Sequence, residues 1–212
     1  MVMKVANRVG GSGRLTYRDK RLSYPSLYID LRDKIYRTAI WDPGRLIVSD
    51  FDGRIATGEE FSGVMKISGN PKTYLFEGRS IKSDFVHKKM AATFEILNPA
   101  GRELLQQHYE NRDPEGKKPL PTLLFSMAYR TVNWSLSGFL IGNYRGNLKL
   151  GSNFSGLVRL EKTDRAAVFR AEAKRMVGDC NGMAAQFGKF GPELFDLFEL
   201  AMKKSTEAPP QP

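Results

Sequence analysis

The sequence predicts an all-β protein with flanking helices, built as two tandem copies of one small β-rich domain. Three observations predict it: a gapless internal repeat, strand-like pieces alternating with turns in both copies, and a helical signature closing each copy. The repeat comes first. Residues 36–48 read YRTAIWDPGRLIV and residues 129–141 read YRTVNWSLSGFLI. At this offset Phe61-Ser62-Gly63 falls on Phe154-Ser155-Gly156, Met90-Ala91-Ala92 on Met183-Ala184-Ala185, and Pro99 on Pro192. From Tyr36 to Glu110, 16 of 75 aligned positions are identical, where average residue usage gives about four or five by chance. A fixed period of this kind marks a duplicated structural unit.

Each copy opens with Val-, Ile-, Leu-, Phe- and Tyr-rich pieces bounded by Gly, Asn and Asp, the signature of short strands. LIVSDFDGRI and FLIGNYRGNL read as hairpins whose turns end at Gly53 and Gly146. A longer pair follows in each copy, KTYLFEGRSI into KMAATFEI and AAVFRAEAKRMV into GMAAQFGKF. Short strands at regular spacing predict a small barrel or sandwich. Asn98-Pro99 and Gly191-Pro192 then begin helices, a cap or breaker followed by proline at the first turn. The expected organisation is a flexible basic arm (1–25), a first domain (26–112), a second domain (113–205) and a disordered Pro-rich tail (206–212).

Thirty-three Lys and Arg against 23 Asp and Glu give a net charge of +10. Such a surface attracts phosphate groups in general. Cys180 is the single cysteine and His87 and His108 the two histidines, which leaves no cysteine zinc site and no intrachain disulfide. No apolar run approaches the length of a membrane span, and a cytoplasmic setting is expected. The pairs Asp50/Asp52 and Glu59/Glu60 form a carboxylate cluster in the first copy, which the second copy does not keep. No Gly-rich phosphate loop or nucleophile elbow is present, so the chain reads as a binding module, not an enzyme.

The sharpest motif is Asn133-Trp134-Ser135-Leu136-Ser137-Gly138, an [D/N]-x-S-x-x-G pattern at an expected strand end. Upstream of the first copy stands Arg14-Leu15-Thr16-Tyr17-Arg18, an R-x-x-x-R. Together these resemble the PilZ domain family of cyclic di-GMP receptors, once per copy and over nearly the whole chain. The resemblance implies two tandem six-stranded antiparallel β-barrels, each followed by a C-terminal α-helix, and no cofactor beyond the nucleotide. The copies depart from the family pattern in complementary ways. The first keeps Arg14 and Arg18 but reads Ile40, Asp42 and Arg45 in place of the Asn-Ser-Gly triad. The second keeps Asn133, Ser135 and Gly138 but offers His108 and Arg112 where two arginines are expected.

An arginine can fork onto a phosphate or onto the O6/N7 edge of guanine. Losing one such charge weakens binding, whereas losing the triad removes the surface on which a base rests. The second copy is therefore expected to hold the nucleotide, with Arg112, His108, Asn133, Ser135 and Gly138. Arg14 and Arg18 either are a remnant, decorate the first barrel, or reach the second copy's triad in the same chain or in a homodimer mate. The expected partners are cyclic di-GMP and a protein that receives the signal. The alternative is a degenerate adaptor that binds its protein partner without nucleotide. Nucleic acid is disfavoured, because the aromatic residues sit at repeat-matched, core-like positions instead of forming a stacking face.

Overall fold

In the computed structural model, residues 27–112, 120–161, 163 and 165–206 are described. The order is β1 (Leu27–Asp42), β2 (Arg45–Ser49), β3 (Glu60–Ile67), β4 (Thr73–Asp84), β5 (Lys89–Ile96) and α1 (Pro99–Glu110). The second copy repeats it as β6 (Leu123–Ser135), β7 (Gly138–Ile141), β8 (Asn153–Leu160), β9 (Ala166–Val177), β10 (Gly182–Phe187) and α2 (Pro192–Thr206). The 93-residue offset carries β3 onto β8 and β4 onto β9 residue for residue. Both helices start where expected. The Asn98 side chain accepts from the backbone N–H groups of Ala100 (2.9 Å) and Gly101 (3.3 Å), with Pro99 opening the helix.

All strand pairings are antiparallel. Strands β1, β2, β5, β4, β3 and β6 close a six-stranded barrel through the β1–β6 pair. The remaining four continue from β6 through β7, β10 and β9 to β8, which returns to β1. The chain is thus mostly β, with a closed antiparallel barrel and two helices. It does not divide into two separate tandem barrels, each built by its own copy. The reason lies in two long strands. Strand β1 runs 16 residues: its first four pair with β8 of the second copy, and its last five carry the pairing with β2. Strand β6 pairs β3 of the first copy over Leu123–Ala128 and β7 over Thr131–Ser135.

Sharing changes the burial pattern. A strand with one face to solvent alternates, as β2 does, with Leu46 and Val48 buried between exposed residues. The shared stretches do not alternate: Leu27 to Leu31 and Phe125 to Tyr129 are buried throughout, as expected of strands covered on both faces. One hydrophobic cluster accordingly runs through both copies, from Phe76 and Phe94 through Phe125 to Phe139 and Phe169. The turns ending at Gly53 and Gly146 are not hairpin turns. The hairpins close earlier, between Asp42 and Arg45 and between Ser135 and Gly138. Gly53 and Gly146 lie in loops folded against the rings of Phe51 and Tyr144, where a Cβ would collide.

Asp30, 1% exposed, sits in the shared part of β1 and accepts hydrogen bonds from the Ser126 hydroxyl and the Arg32 backbone N–H, both at 3.0 Å. Burial pushes its carboxyl above the ordinary value, against the pull of those bonds and of Arg159. A carboxyl raised in the folded state binds protons more readily folded than unfolded. Its contribution to stability therefore falls as pH rises from the ordinary carboxylate range through the raised folded value. Asp30→Asn is expected to remove that fall. Urea titrations should show the variant's stability relative to the parent improving from pH 4 to pH 7; an unchanged difference contradicts this.

Candidate functional site

The Asn-Ser-Gly motif occupies the β6–β7 hairpin. Alternation along β6 decides which residues face out. Trp134 turns inward and stacks on Phe198 of α2, with centroids 5.0 Å apart and planes at 18°. Its neighbours Asn133 and Ser135 are exposed. Trp41, at the matching place in the first copy, is more deeply buried, near Tyr109 of α1, and its indole N–H donates to the Pro121 carbonyl at 2.8 Å. Both tryptophans are packing residues that hold a helix to the sheet. At the turn, the Ser137 N–H donates to Ser135 Oγ (3.2 Å) and the two hydroxyls lie 2.8 Å apart. Gly138 pairs with Gln186, and a Cβ there would overlap the Ala185 carbonyl. The glycine lets β7 lie close to β10.

Asn133, Ser135 and Gly138 line one open cleft of about 480 Å³, whose other wall includes Lys174, Arg175 and Gln186. Lys174 and Arg175 escaped the reading of the sequence because consecutive strand residues ordinarily point to opposite faces. Here the ladder slips: Ala184 pairs with Arg175 but Ala185 with Ala173, leaving Lys174 as the extra residue of a bulge. A bulge re-aims side chains, and both cations are exposed beside the motif. Lys174 pairs with Glu172 at 2.6 Å, both partners about 40% exposed, a contact weak enough to exchange for a better anion. Arg175 has no ion-pair partner among the described residues. The repeat did hold a signal, since it sets Lys174-Arg175 against Ile81-Lys82 at the equivalent bulge of β4.

The other expected site residues fall in different places. His108, half-buried, is in the last turn of α1, and Arg112 follows just beyond, 3.8 Å over the ring of Tyr109. Tyr109 packs near Trp41, whose indole reaches Pro121. From Pro121 the chain runs twelve residues to Asn133, nearly all in β6, roughly 40 Å along the strand. His108 and Arg112 therefore stand at the opposite end of β6 from the triad, and neither lines its cleft. Arg14 and Arg18 lie outside the described residues. The point at which their segment joins the sheet is described. The Leu27 N–H donates to Thr131 Oγ (3.2 Å), and the Thr131 hydroxyl donates to the Leu27 carbonyl (3.1 Å), two residues from Asn133.

The matching hairpin of the first copy has other chemistry. Ile40 and Ile47 form an exposed cross-strand pair, 65% and 40% exposed, where the second copy has Asn133 and Leu140. The Asp42 carboxylate accepts from the Gly44 N–H at 2.9 Å and so serves its own turn. The acidic cluster of the first copy is split between partners. Asp52 pairs with Lys34, whose hydrogen bond, with that of Tyr36, holds the carboxyl below the usual range. Glu59 pairs with Arg145 of the second copy. Asp52 and Arg145 both border a cavity of about 580 Å³ between the copies.

No helix among the described residues is long and apolar enough to cross a membrane. Comparison of the chain with protein-family models, with curated proteins and with solved structures gave no match.

Proposed function

We propose that the chain is a cyclic di-GMP receptor of the tandem PilZ type, with one nucleotide site assembled from both copies and the signal passed to a protein partner. The observation that carries this is the strand exchange. Strand β1 belongs to the first copy, yet it begins beside Thr131, next to the second copy's triad. Arg18 is nine residues before Leu27, a span of at most about 30 Å. The R-x-x-x-R of the first copy is thereby tethered within reach of Asn133, Ser135 and Gly138. The complementary losses then follow. Asn133 meets a guanine edge, Arg14 and Arg18 fork onto phosphate or guanine O6/N7, and Lys174 and Arg175 neutralise the second phosphate. Conversely, β6 begins on the first copy's side of the sheet, where the first copy's hairpin reads Ile40, Asp42 and Arg45 instead of a triad.

This reading needs no catalytic group and no metal, and the role is recognition in the cytoplasm. The exposed Ile40–Ile47 pair gives a protein partner an apolar face where the first copy has given up the triad. Calorimetric titration of the full chain with cyclic di-GMP tests the reading. One nucleotide-binding event per chain, lost in Asn133→Ala, is expected; no heat at high micromolar nucleotide contradicts it, and partner capture unchanged without nucleotide favours the adaptor alternative.

A further inference from the structure

The β4–β5 hairpin ends in a feature that the nucleotide site does not use. Phe85 and Val86, at its tip, are 57% and 85% exposed, and Ile81 at the nearby bulge is 52% exposed. The tip is not loose. The Asp84 carboxylate accepts from the His87 N–H at 2.9 Å and contacts its ring Nδ1 at 2.8 Å, and Lys88 takes a left-handed conformation with φ +51°. The Phe51 N–H donates to the Lys88 carbonyl at 2.7 Å, tying the turn to the barrel. A built turn therefore holds two large apolar side chains in water. Lys82, Lys88 and Lys89, all exposed, surround them. Against these stands Asp84, whose carboxylate is engaged by His87, so the tip carries two net positive charges (three lysines, one aspartate).

The second copy supplies an internal control. Its β9–β10 hairpin keeps the left-handed residue at the matching place, Asn181 with φ +43°, but reads Gly178-Asp179 where the first copy has Phe85-Val86. The turn geometry needs the left-handed residue and does not need the apolar pair. An aromatic and an aliphatic side chain framed by lysines match a surface that is apolar just beneath a layer of negative charge.

We infer that the Phe85-Val86 tip is an anchor for anionic lipid bilayers, inserting its two apolar side chains at the headgroup level while Lys82, Lys88 and Lys89 meet lipid phosphates. The full chain is expected to co-sediment with vesicles containing 30% phosphatidylglycerol and not with pure phosphatidylcholine vesicles. Phe85→Ser/Val86→Ser should lower the partition coefficient at least tenfold, and Lys88→Gln about fivefold. Both variants lie at exposed positions and should melt with the parent, which separates loss of binding from loss of fold. Failure of the parent to bind phosphatidylglycerol vesicles overturns the inference. So does binding undiminished in the double variant, which would place the contact elsewhere in this basic chain. Self-association abolished by the same double variant, in a parent that ignores vesicles, also overturns it and makes a second copy the occupant. Nucleotide affinity is measured separately by calorimetry and is expected to be unchanged by Phe85→Ser/Val86→Ser.

Discussion

Cyclic di-GMP affinity is expected to fall a hundredfold or more in Arg14→Ala/Arg18→Ala and by a similar factor in Asn133→Ala/Ser135→Ala. His108→Ala/Arg112→Ala should leave it within about twofold. The magnitude follows from what the residues do. A hydrogen bond to a charged group contributes roughly 1.5–3 kcal/mol, so losing two costs about 3–6 kcal/mol, beyond two decades in affinity. The pattern is more diagnostic than the size. A site built by the second copy alone would need His108 and Arg112, which precede it in the chain. They sit by Tyr109 at the far end of β6, while Leu27, nine residues beyond Arg18, bonds to Thr131 beside the triad. Isothermal calorimetry on the three double variants reads the pattern directly; a loss in His108→Ala/Arg112→Ala with Arg14→Ala/Arg18→Ala unaffected would reverse the assignment.

A large loss of stability is expected at the two glycines of the Phe-Ser-Gly triplets. Gly156 in β8 lies against β1, where an added Cβ would come within 2.7 Å of the Asp30 carbonyl oxygen and 2.8 Å of the Phe169 ring. Gly63 in β3 lies against β6, with the Ser126 carbonyl oxygen at 2.8 Å and the Phe76 ring nearer still. At each place a strand of one copy crosses onto the long strand of the other. A ring can shift, but the carbonyl belongs to a strand buried on both faces and cannot. Gly63→Val and Gly156→Val should each cost about 3 kcal/mol or more, read as a lower urea midpoint. Because one core spans both copies, each should lower a single transition instead of melting one copy alone. Two separated transitions in either variant would show that the copies fold independently.

The repeat made much of the fold legible. Matching Gly, Phe and Met-Ala-Ala positions placed the paired long strands, and Asn98-Pro99 and Gly191-Pro192 marked the helix starts. The exchange of strands was not legible, because period and composition report which residues are buried and not which copy buries them. The Leu27–Leu31 run, Leu-Tyr-Ile-Asp-Leu, alternates aliphatic and polar residues as a half-exposed strand does, yet all five are buried because the strand is covered on both faces. The same gap affected the site. Asn133, Ser135 and Gly138 were readable as a motif because they are local. Lys174 and Arg175 were not, since a bulge 40 residues downstream turns them to the same cleft. Proximity along the chain favoured Arg112 as the triad's cation, and the direction of β6 separates the two.

In the proposed site, arginines of the first copy and the triad of the second hold one nucleotide. A single NMR titration with cyclic di-GMP, following the Arg Nε–H and Asn side-chain amide signals, tests it most directly. Arg14, Arg18 and Asn133 are predicted to shift together and saturate at the same nucleotide ratio, with Arg112 unmoved. Shifts at Arg112 with Arg14 and Arg18 silent, or an Asn133 amide that does not respond, would rule out a site shared between the copies.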